Sequence, residues 1–244
     1  MSNDPLRGPG ARPRSRPPGN IGLRRLIEAK RAGTAPLGPA MLRRGFRGWH
    51  ERGYVPHYDA PHVTQIATFM LADAFPVERH AEWEPILEEA DESLRRRKLE
   101  AWLDRGMGQC WLRKSRVATV VEQKLRQFDG VQYRLQAWVL MPNHVHLVVD
   151  VRDTPLSQLV KHWKGGAARE ANLVLGRRGV FWQEDYFDTK IRDAPHLAQA
   201  IRYVEQNPTK AKLVRDPRGW LWSSARLRDD YNRLPWQLDA AGGV

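Results

Sequence analysis

Two histidines separated by a single residue are the side chains in this 244-residue sequence whose types and spacing most clearly suggest chemistry. His144 and His146 open a run of mostly aliphatic residues, 144–151, whose alternation predicts a β-strand. Because side chains alternate along a strand, the two imidazoles share one face, about 7 Å apart, while Val145 and Leu147 point to the other. The pair could hold one divalent ion, or it could be a polar sheet face without a ligand, and the spacing leaves both interpretations open.

A tyrosine on the last predicted helix is the second candidate. This helix spans residues 194–207, and its apolar stripe starts at Leu197. Tyr203 falls at the edge of that stripe, and Asn207 follows one turn later on the same side. A phenol attacks phosphorus poorly unless the target is polarised, and an ion held by two histidines and a neutral amide could polarise it. An ordinary half-buried tyrosine would show the same spacing.

The elements that must position these residues come in a mixed order. The patterns predict a strand over 62–71, a helical region with solvated charges over 78–105, a helix over 116–128, hairpin strands over 133–141 and 144–151, a helix over 155–175 and short extended segments over 179–191. Pro208 is expected to end the last helix, since the residue before a proline disfavours the helical region. This order predicts an α+β fold with helices packed on an antiparallel sheet.

Composition narrows the class of protein. The chain has 40 Lys+Arg, 28 Asp+Glu and a formal charge of +12, so an acidic partner such as nucleic acid is expected. Its one cysteine, Cys110, excludes an internal disulfide framework and a cysteine-cluster zinc site. Apolar runs stay short of the roughly 18 residues that a membrane span needs, and the N-terminus lacks the apolar segment of a signal peptide. We therefore expect a cytoplasmic protein that does not enter a membrane.

The positive charge is concentrated near the N-terminus. Residues 1–57 contain twelve Lys or Arg and three acidic residues, which amounts to nine of the twelve excess charges. We predict a basic Pro/Gly/Arg-rich extension over 1–53 that is largely disordered, a folded domain over 54–226 and a C-terminal tail over 227–244. The extension is either an arm that binds phosphates or a solvated tail.

Taken together, these motifs resemble a known family. The segment Met141-Pro142-Asn143-His144-Val145-His146 is similar to the HUH motif (His, bulky hydrophobe, His) of single-tyrosine transposases of the IS200/IS605 type. The segment Tyr203-Val204-Glu205-Gln206-Asn207-Pro208 is similar to their nucleophile helix. The wider pattern over 54–225 resembles the REP-associated tyrosine transposases still more closely, through Leu71-Ala72-Asp73, Phe128-Asp129-Gly130, His162-Trp163-Lys164, Phe181-Trp182-Gln183, Ile191-Arg192-Asp193 and Trp222-Ser223-Ser224-Ala225.

The resemblance implies a fold, a reaction and a partner. The fold would be a ferredoxin-like (RRM-like) HUH core, and the reaction would be cleavage of single-stranded DNA beside short REP-like hairpins. His144 and His146 would hold Mg²⁺ or Mn²⁺, with Asn207 as a further ligand. Tyr203 would attack the phosphate to give a 5′-phosphotyrosine intermediate and a free 3′-OH. The protein would be bacterial and nucleoid-associated, as a monomer or homodimer.

Basic and aromatic side chains outside this motif are candidates for DNA contacts. Arg52 and Tyr54, just before the first strand, are candidates for reading bases near the foot of a hairpin. Lys161, Lys164 and Lys210 are candidates for binding phosphates. Two other functions stay open: a non-catalytic regulator that binds hairpin DNA or RNA on the same fold, and a metal-dependent phosphodiesterase that uses activated water.

Overall fold

The computed structural model describes residues 21–51, 55–89 and 91–229, and every structural statement below refers to these ranges. The helices and strands found there are, in chain order, α1 (Ile21–Ala32), α2 (Pro39–Arg43), β1 (Gly48–Glu51), β2 (Pro56–Asp59), β3 (Val63–Met70), α3 (His80–Glu88), α4 (Glu92–Asp104), α5 (Ser115–Arg126), β4 (Tyr133–Leu140), β5 (His144–Val151), α6 (Leu156–Val174), β6 (Phe187–Lys190) and α7 (Ala194–Lys210). In these ranges, no helix is both long enough and apolar enough to cross a membrane.

The main sheet has four antiparallel strands in the order β4-β5-β3-β6. Counted along the chain, this is the order 2-3-1-4 with helical crossovers after the first and third strands, which is the βαββαβ pattern of ferredoxin-like domains. The predicted α+β fold with an antiparallel sheet is therefore confirmed. β5 is an interior strand, so the ladder fixes the histidine-bearing segment on both sides.

Both faces of this sheet are covered by helices. On one face, Val145, Leu147 and Val149 of β5 pack against α5 and α6 in the largest apolar core. On the other face, Val148 packs with Ile201 and Val204 of α7. The alternation predicted for the strand is thus correct, and the face that carries the two histidines is the one under α7.

The N-terminal extension differs from the sequence-based expectation. Residues 21–51, which fall in the segment expected to be largely disordered, contain α1, α2 and β1, whereas residues 1–20 lie outside the described ranges. The reason is that this basic segment also contains apolar residues at helical spacing. Leu23 and Ile27, one helical turn apart, are both buried. Some basic residues there also form ion pairs with the rest of the protein, for example Arg44, whose Nη2 lies 2.6 Å from Asp153 Oδ1.

A buried histidine joins the β1–β2 ribbon to the main sheet. His57 on β2 is fully buried, with Nδ1 2.5 Å from Asp188 Oδ1 and Nε2 3.2 Å from Asp185 Oδ1. Burial alone would lower the pKa of His57, but the two carboxylates raise it to about 9. The backbone N–H of Tyr58 also donates to Asp188, at 3.0 Å. A charged cluster therefore holds the ribbon against β6.

Three predicted boundaries need correction. The helical region 78–105 is two helices, because Glu89 leaves the helical conformation (ψ 120°) and Asp91 caps α4 by accepting from Leu94 N–H at 2.8 Å. Pro208 does not end the last helix but lies inside α7, two residues before its last residue. Proline has no backbone N–H, so the helix loses only one hydrogen bond, in its final turn. The domain also extends past residue 226, since Arg228 pairs with buried Glu205 at 2.7 Å.

Candidate active site

The two histidines lie side by side under α7. Their ring centroids are 4.6 Å apart, and they are 1% and 2% exposed respectively. In the ladder, His144 lies opposite Met70 and His146 opposite Thr68 of β3. The two imidazoles therefore share one face of the sheet, as the sequence predicted, but they are fully buried rather than on an open face.

Hydrogen bonds fix both rings through their Nδ1 atoms. His144 Nδ1 lies 2.8 Å from Asn143 Oδ1, and the amide of Asn143 is oriented because its Nδ2 donates to Met107 O at 3.0 Å. An amide oxygen only accepts, so the His144 proton is on Nδ1 and the Nε2 lone pair is free. His146 Nδ1 lies 2.7 Å from Thr68 Oγ1. Both Nε2 atoms are buried without a hydrogen-bond partner in the described residues.

Burial keeps the two imidazoles neutral. Desolvation, together with the neighbouring His146 ring, lowers the pKa of His144 well below its ordinary value. Desolvation also lowers the pKa of His146 to about 3, with smaller contributions from the charges of Lys210 and Arg96. Neutral imidazole nitrogens with unused lone pairs are the form in which histidine binds a metal ion.

The tyrosine lies directly beside this pair. The Tyr203 ring centroid is 5.6 Å from that of His146, and its hydroxyl is buried without a hydrogen-bond partner among the described residues. Burial raises the pKa of Tyr203, the carboxylate of Glu100 raises it further, and the Asn207 amide opposes the shift. The resting phenol is therefore protonated, and a positive charge is needed to stabilise the phenolate.

Asn207 completes the group. It is 2% exposed, and its Nδ2 donates to the Tyr203 carbonyl oxygen at 2.9 Å, which leaves Oδ1 as the side-chain atom able to bind a cation. In the described residues, no three or more His, Cys, Asp or Glu side chains form a possible metal site. A cation here would therefore depend on His144, His146 and the amide. Two imidazoles and an amide oxygen are a donor set that fits a divalent ion.

Charges from α4 reach the site, which the sequence analysis missed. The charged region was expected to be solvated, yet Glu100 raises the pKa of Tyr203, and Arg96 lowers those of Tyr203 and His146. Arg96 Nε lies 3.6 Å from Glu100 Oε1. Arg96, Glu100 and Asp104 repeat every four residues, so they share one face of α4. This four-residue spacing is the sequence signal that could have indicated that the charged face of α4 contacts another part of the protein.

The predicted DNA contacts fall in different places. Lys210, at the end of α7, has its Nζ 4.6 Å from the Tyr203 ring centroid and lies next to the site. Lys161 is exposed on α6, which covers the opposite face of the sheet. Lys164 binds the protein's own backbone, because its Nζ donates to the carbonyl oxygens of Glu184 at 2.7 Å and Asp185 at 3.3 Å. Arg52 and Tyr54 lie outside the described residues.

Fold and site together define an α+β protein in which a buried histidine pair and a tyrosine meet on one face of a ferredoxin-like sheet. Residues 111–207, which include both histidines, the tyrosine and Asn207, match the family model described as IS200-like transposase. Residues 111–207 thus form an IS200-like transposase domain, in agreement with the IS200-like motifs in the sequence. No curated protein matches the chain.

Two solved structures are similar to this chain. One is a REP-associated tyrosine transposase bound to a REP hairpin, with 14% identity and a TM-score of 0.45 over 73% of this chain and 83% of that one. The other is from Deinococcus radiodurans R1 and is described as a transposase, with 17% identity and a TM-score of 0.30 over 65% of this chain and 96% of that one.

Proposed function

We propose that this protein is a metal-dependent single-stranded DNA endonuclease and strand transferase that cleaves beside short palindromic, REP-like hairpins. The observation that carries the proposal is a group of three neighbouring buried side chains: His144 and His146, whose Nε2 atoms have no hydrogen-bond partner among the described residues, and Tyr203, whose ring centroid lies 5.6 Å from that of His146. Buried polar groups are normally paired, so two neighbouring unpaired imidazole nitrogens call for a ligand.

Tyr203 and the metal-binding residues have different roles in the proposed reaction. The hydroxyl oxygen of Tyr203 attacks phosphorus and loses its proton, the bond from phosphorus to O3′ breaks, and O3′ takes a proton to become the free 3′-OH. The product is a 5′-phosphotyrosine ester, and attack by a 3′-OH reverses the step and joins strands. Mg²⁺ or Mn²⁺ held by His144, His146 and Asn207 would polarise the phosphate and offset the developing negative charge.

The surroundings of the tyrosine explain why a cation is required. Because burial and Glu100 raise the pKa of Tyr203, the unaided phenol is a poor nucleophile at neutral pH. Lys210, next to the ring, carries a positive charge that favours both a phosphate and a phenolate there. Single-stranded hairpin DNA is the proposed partner, bound by a monomer or a homodimer.

The test is formation of a covalent adduct. Labelled single-stranded hairpins are incubated with the protein and Mn²⁺, and adducts are separated on a denaturing gel. We expect an adduct with the wild-type protein, none with Tyr203→Phe, and none when EDTA removes the metal. Tyr186→Phe is the matched control, since Tyr186 is buried beside His57 rather than beside the histidine pair.

The other outcomes identify the competing functions. Cleavage without an adduct that survives Tyr203→Phe would show hydrolysis by activated water. Tight hairpin binding without cleavage in Mn²⁺ would show a non-catalytic regulator. An adduct that persists in Tyr203→Phe and disappears in Tyr186→Phe would place the nucleophile at the other tyrosine.

A further inference from the structure

The loop between α4 and α5 is held against the segment that follows β3. The backbone N–H of Gln109 donates to Asp73 Oδ2 at 2.8 Å, and Trp102 Nε1, near the end of α4, donates to the carbonyl oxygen of Ala74 at 2.9 Å. Gly108 lies so close to Asp73 that a Cβ atom added to it would be 2.5 Å from the Asp73 carbonyl oxygen. Contacts with the segment after β3 therefore fix the position of this loop.

One carbonyl group of this loop is linked to the histidine pair through a single side chain. Met107 O accepts from Asn143 Nδ2 at 3.0 Å, and Asn143 Oδ1 lies 2.8 Å from His144 Nδ1. A carbonyl oxygen only accepts, so Met107 O determines which end of the Asn143 amide faces the loop and which end faces the imidazole. Asn143 is fully buried, so water does not compete for either bond.

The direction of this amide matters because a neutral imidazole carries its proton on one of two nitrogens. With Oδ1 of Asn143 towards the ring, the His144 proton is on Nδ1. With the amide reversed, Nδ2 would donate to the ring, and the proton would move to Nε2, where it would block a metal ion. The hydroxyl of Thr68, the partner of His146 Nδ1, can donate or accept, so it does not select a tautomer in the same way.

We propose that Asp73 and Gly108 are positioning residues for the proposed metal site. They hold the Met107 carbonyl group where it orients the Asn143 amide. The amide then keeps the proton of His144 on Nδ1, so that Nε2 is available to Mg²⁺ or Mn²⁺. Hydrogen-bond partners behind a metal-binding histidine fix its tautomer and ring orientation in this manner. This proposal rests on the metal site of the proposed function.

The position of the proton can be measured in the metal-free protein. Proton–nitrogen NMR spectra of the full chain with isotope-labelled histidines distinguish the Nδ1–H and Nε2–H tautomers, and the His144→Gln variant identifies the His144 signals among those of the eight histidines. We expect the wild-type protein to show His144 in the Nδ1–H form, although the Nε2–H form predominates for histidine side chains in water. A wild-type His144 in the Nε2–H form would overturn the proposal.

Two glycines with the same backbone conformation provide a matched pair of variants. Gly108 (φ +81°) and Gly130 (φ +82°) are both in the left-handed region, so alanine strains the backbone equally at either position. At Gly108 the new Cβ would also collide with the Asp73 carbonyl oxygen, whereas at Gly130 no atom of the described residues lies within 4 Å of it. Gly108→Ala should therefore displace the loop and add an Nε2–H signal for His144, and Gly130→Ala should keep the Nδ1–H signal alone. The same His144 tautomer in both variants would contradict the proposal.

Substitutions of Asp73 test the same contact without adding an atom. Asp73→Ala removes the acceptor of the Gln109 N–H, whereas Asp73→Asn keeps a side-chain oxygen that can accept. We expect Asp73→Ala to change the His144 tautomer and to lower Mn²⁺ affinity, measured by calorimetry, about tenfold. Asp73→Asn should restore the tautomer, with Mn²⁺ affinity within about twofold of the wild type. Wild-type behaviour of Asp73→Ala, or an Asp73→Asn variant equal to it, would refute the assignment.

The two readouts separate this proposal from the proposed function, because the His144 tautomer is measured without metal or DNA. If the tautomer follows the loop but the wild-type protein does not bind Mn²⁺, the metal site fails and the control of the tautomer stands. If the wild-type protein binds Mn²⁺ and forms the covalent adduct, but Gly108→Ala and Asp73→Ala leave the tautomer unchanged, the positioning role fails and the proposed function stands.

Discussion

The attachment of α7 to the sheet depends on a buried ion pair whose loss should be measurable. Glu205, two residues after Tyr203, has a side chain 2% exposed and accepts from Arg228 Nε at 2.8 Å and 2.7 Å. Arg228 also donates to Gln136 O at 3.1 Å, and Ser224 Oγ donates to Glu205 at 2.5 Å. Arg228→Met removes the positive charge and leaves a buried carboxylate without its counterion.

The expected cost is large for a single substitution. Removing one partner of a buried pair typically costs about 3–5 kcal/mol. For a domain of this size, 1 kcal/mol corresponds to about 2–4 °C in Tm, so we expect Arg228→Met to lower Tm by about 6–20 °C. Thermal unfolding and urea denaturation of the full chain provide the two measurements.

A double variant separates charge burial from lost packing. Glu205→Gln/Arg228→Met removes both charges, so it should recover most of the stability that Arg228→Met loses. A double variant as unstable as the single one would show that packing of the arginine side chain is responsible. A wild-type Tm in Arg228→Met would refute the reasoning altogether.

Three further predictions concern other parts of the fold. The pKa of His57 is raised to about 9, so its contribution to stability is complete below about pH 6.5 and is lost as the pH rises through 9; urea denaturation between pH 6 and 10 should show this slope, and His57→Gln should flatten it. Thr68→Val removes the hydrogen-bond partner of His146 Nδ1, so Mn²⁺ affinity measured by calorimetry should fall about 10–100-fold, whereas Thr119→Val on α5 should leave it unchanged. Deletion of residues 1–45 removes the two buried side chains of α1, each worth about 1.5–3 kcal/mol, so it should lower Tm as well as DNA affinity; an unchanged Tm would show that α1 contributes nothing to the fold.

Local patterns predicted the central part of the site well. The faces of β5 follow from strict alternation, because Val145 and Leu147 need a core and His144 and His146 then share the opposite side. Tyr203 was placed correctly at the edge of the apolar stripe of α7 by helical periodicity alone. Both elements are long and periodic, and tertiary packing only reinforces what their sequences favour.

Long-range contacts account for what the sequence did not reveal. His57 and Asp188 are 131 residues apart, and nothing in either segment indicates the other. The influence of Glu100 on Tyr203 likewise depends on how α4 packs beside the end of β3, through Leu99 and Trp102. Pro208 illustrates the opposite error, because a local rule about proline was overruled at a buried position near the helix end.

The coverage of both sheet faces has a consequence for the form of DNA that can react. The imidazoles of His144 and His146 are only 1% and 2% exposed, so a phosphate that binds there must leave the protein surface. The backbone of a paired duplex is held rigidly against its neighbouring strand, whereas a single strand bends freely. Under the proposed function, the burial of the histidine pair would therefore favour single-stranded over double-stranded DNA by shape, even without any contact that distinguishes one base from another.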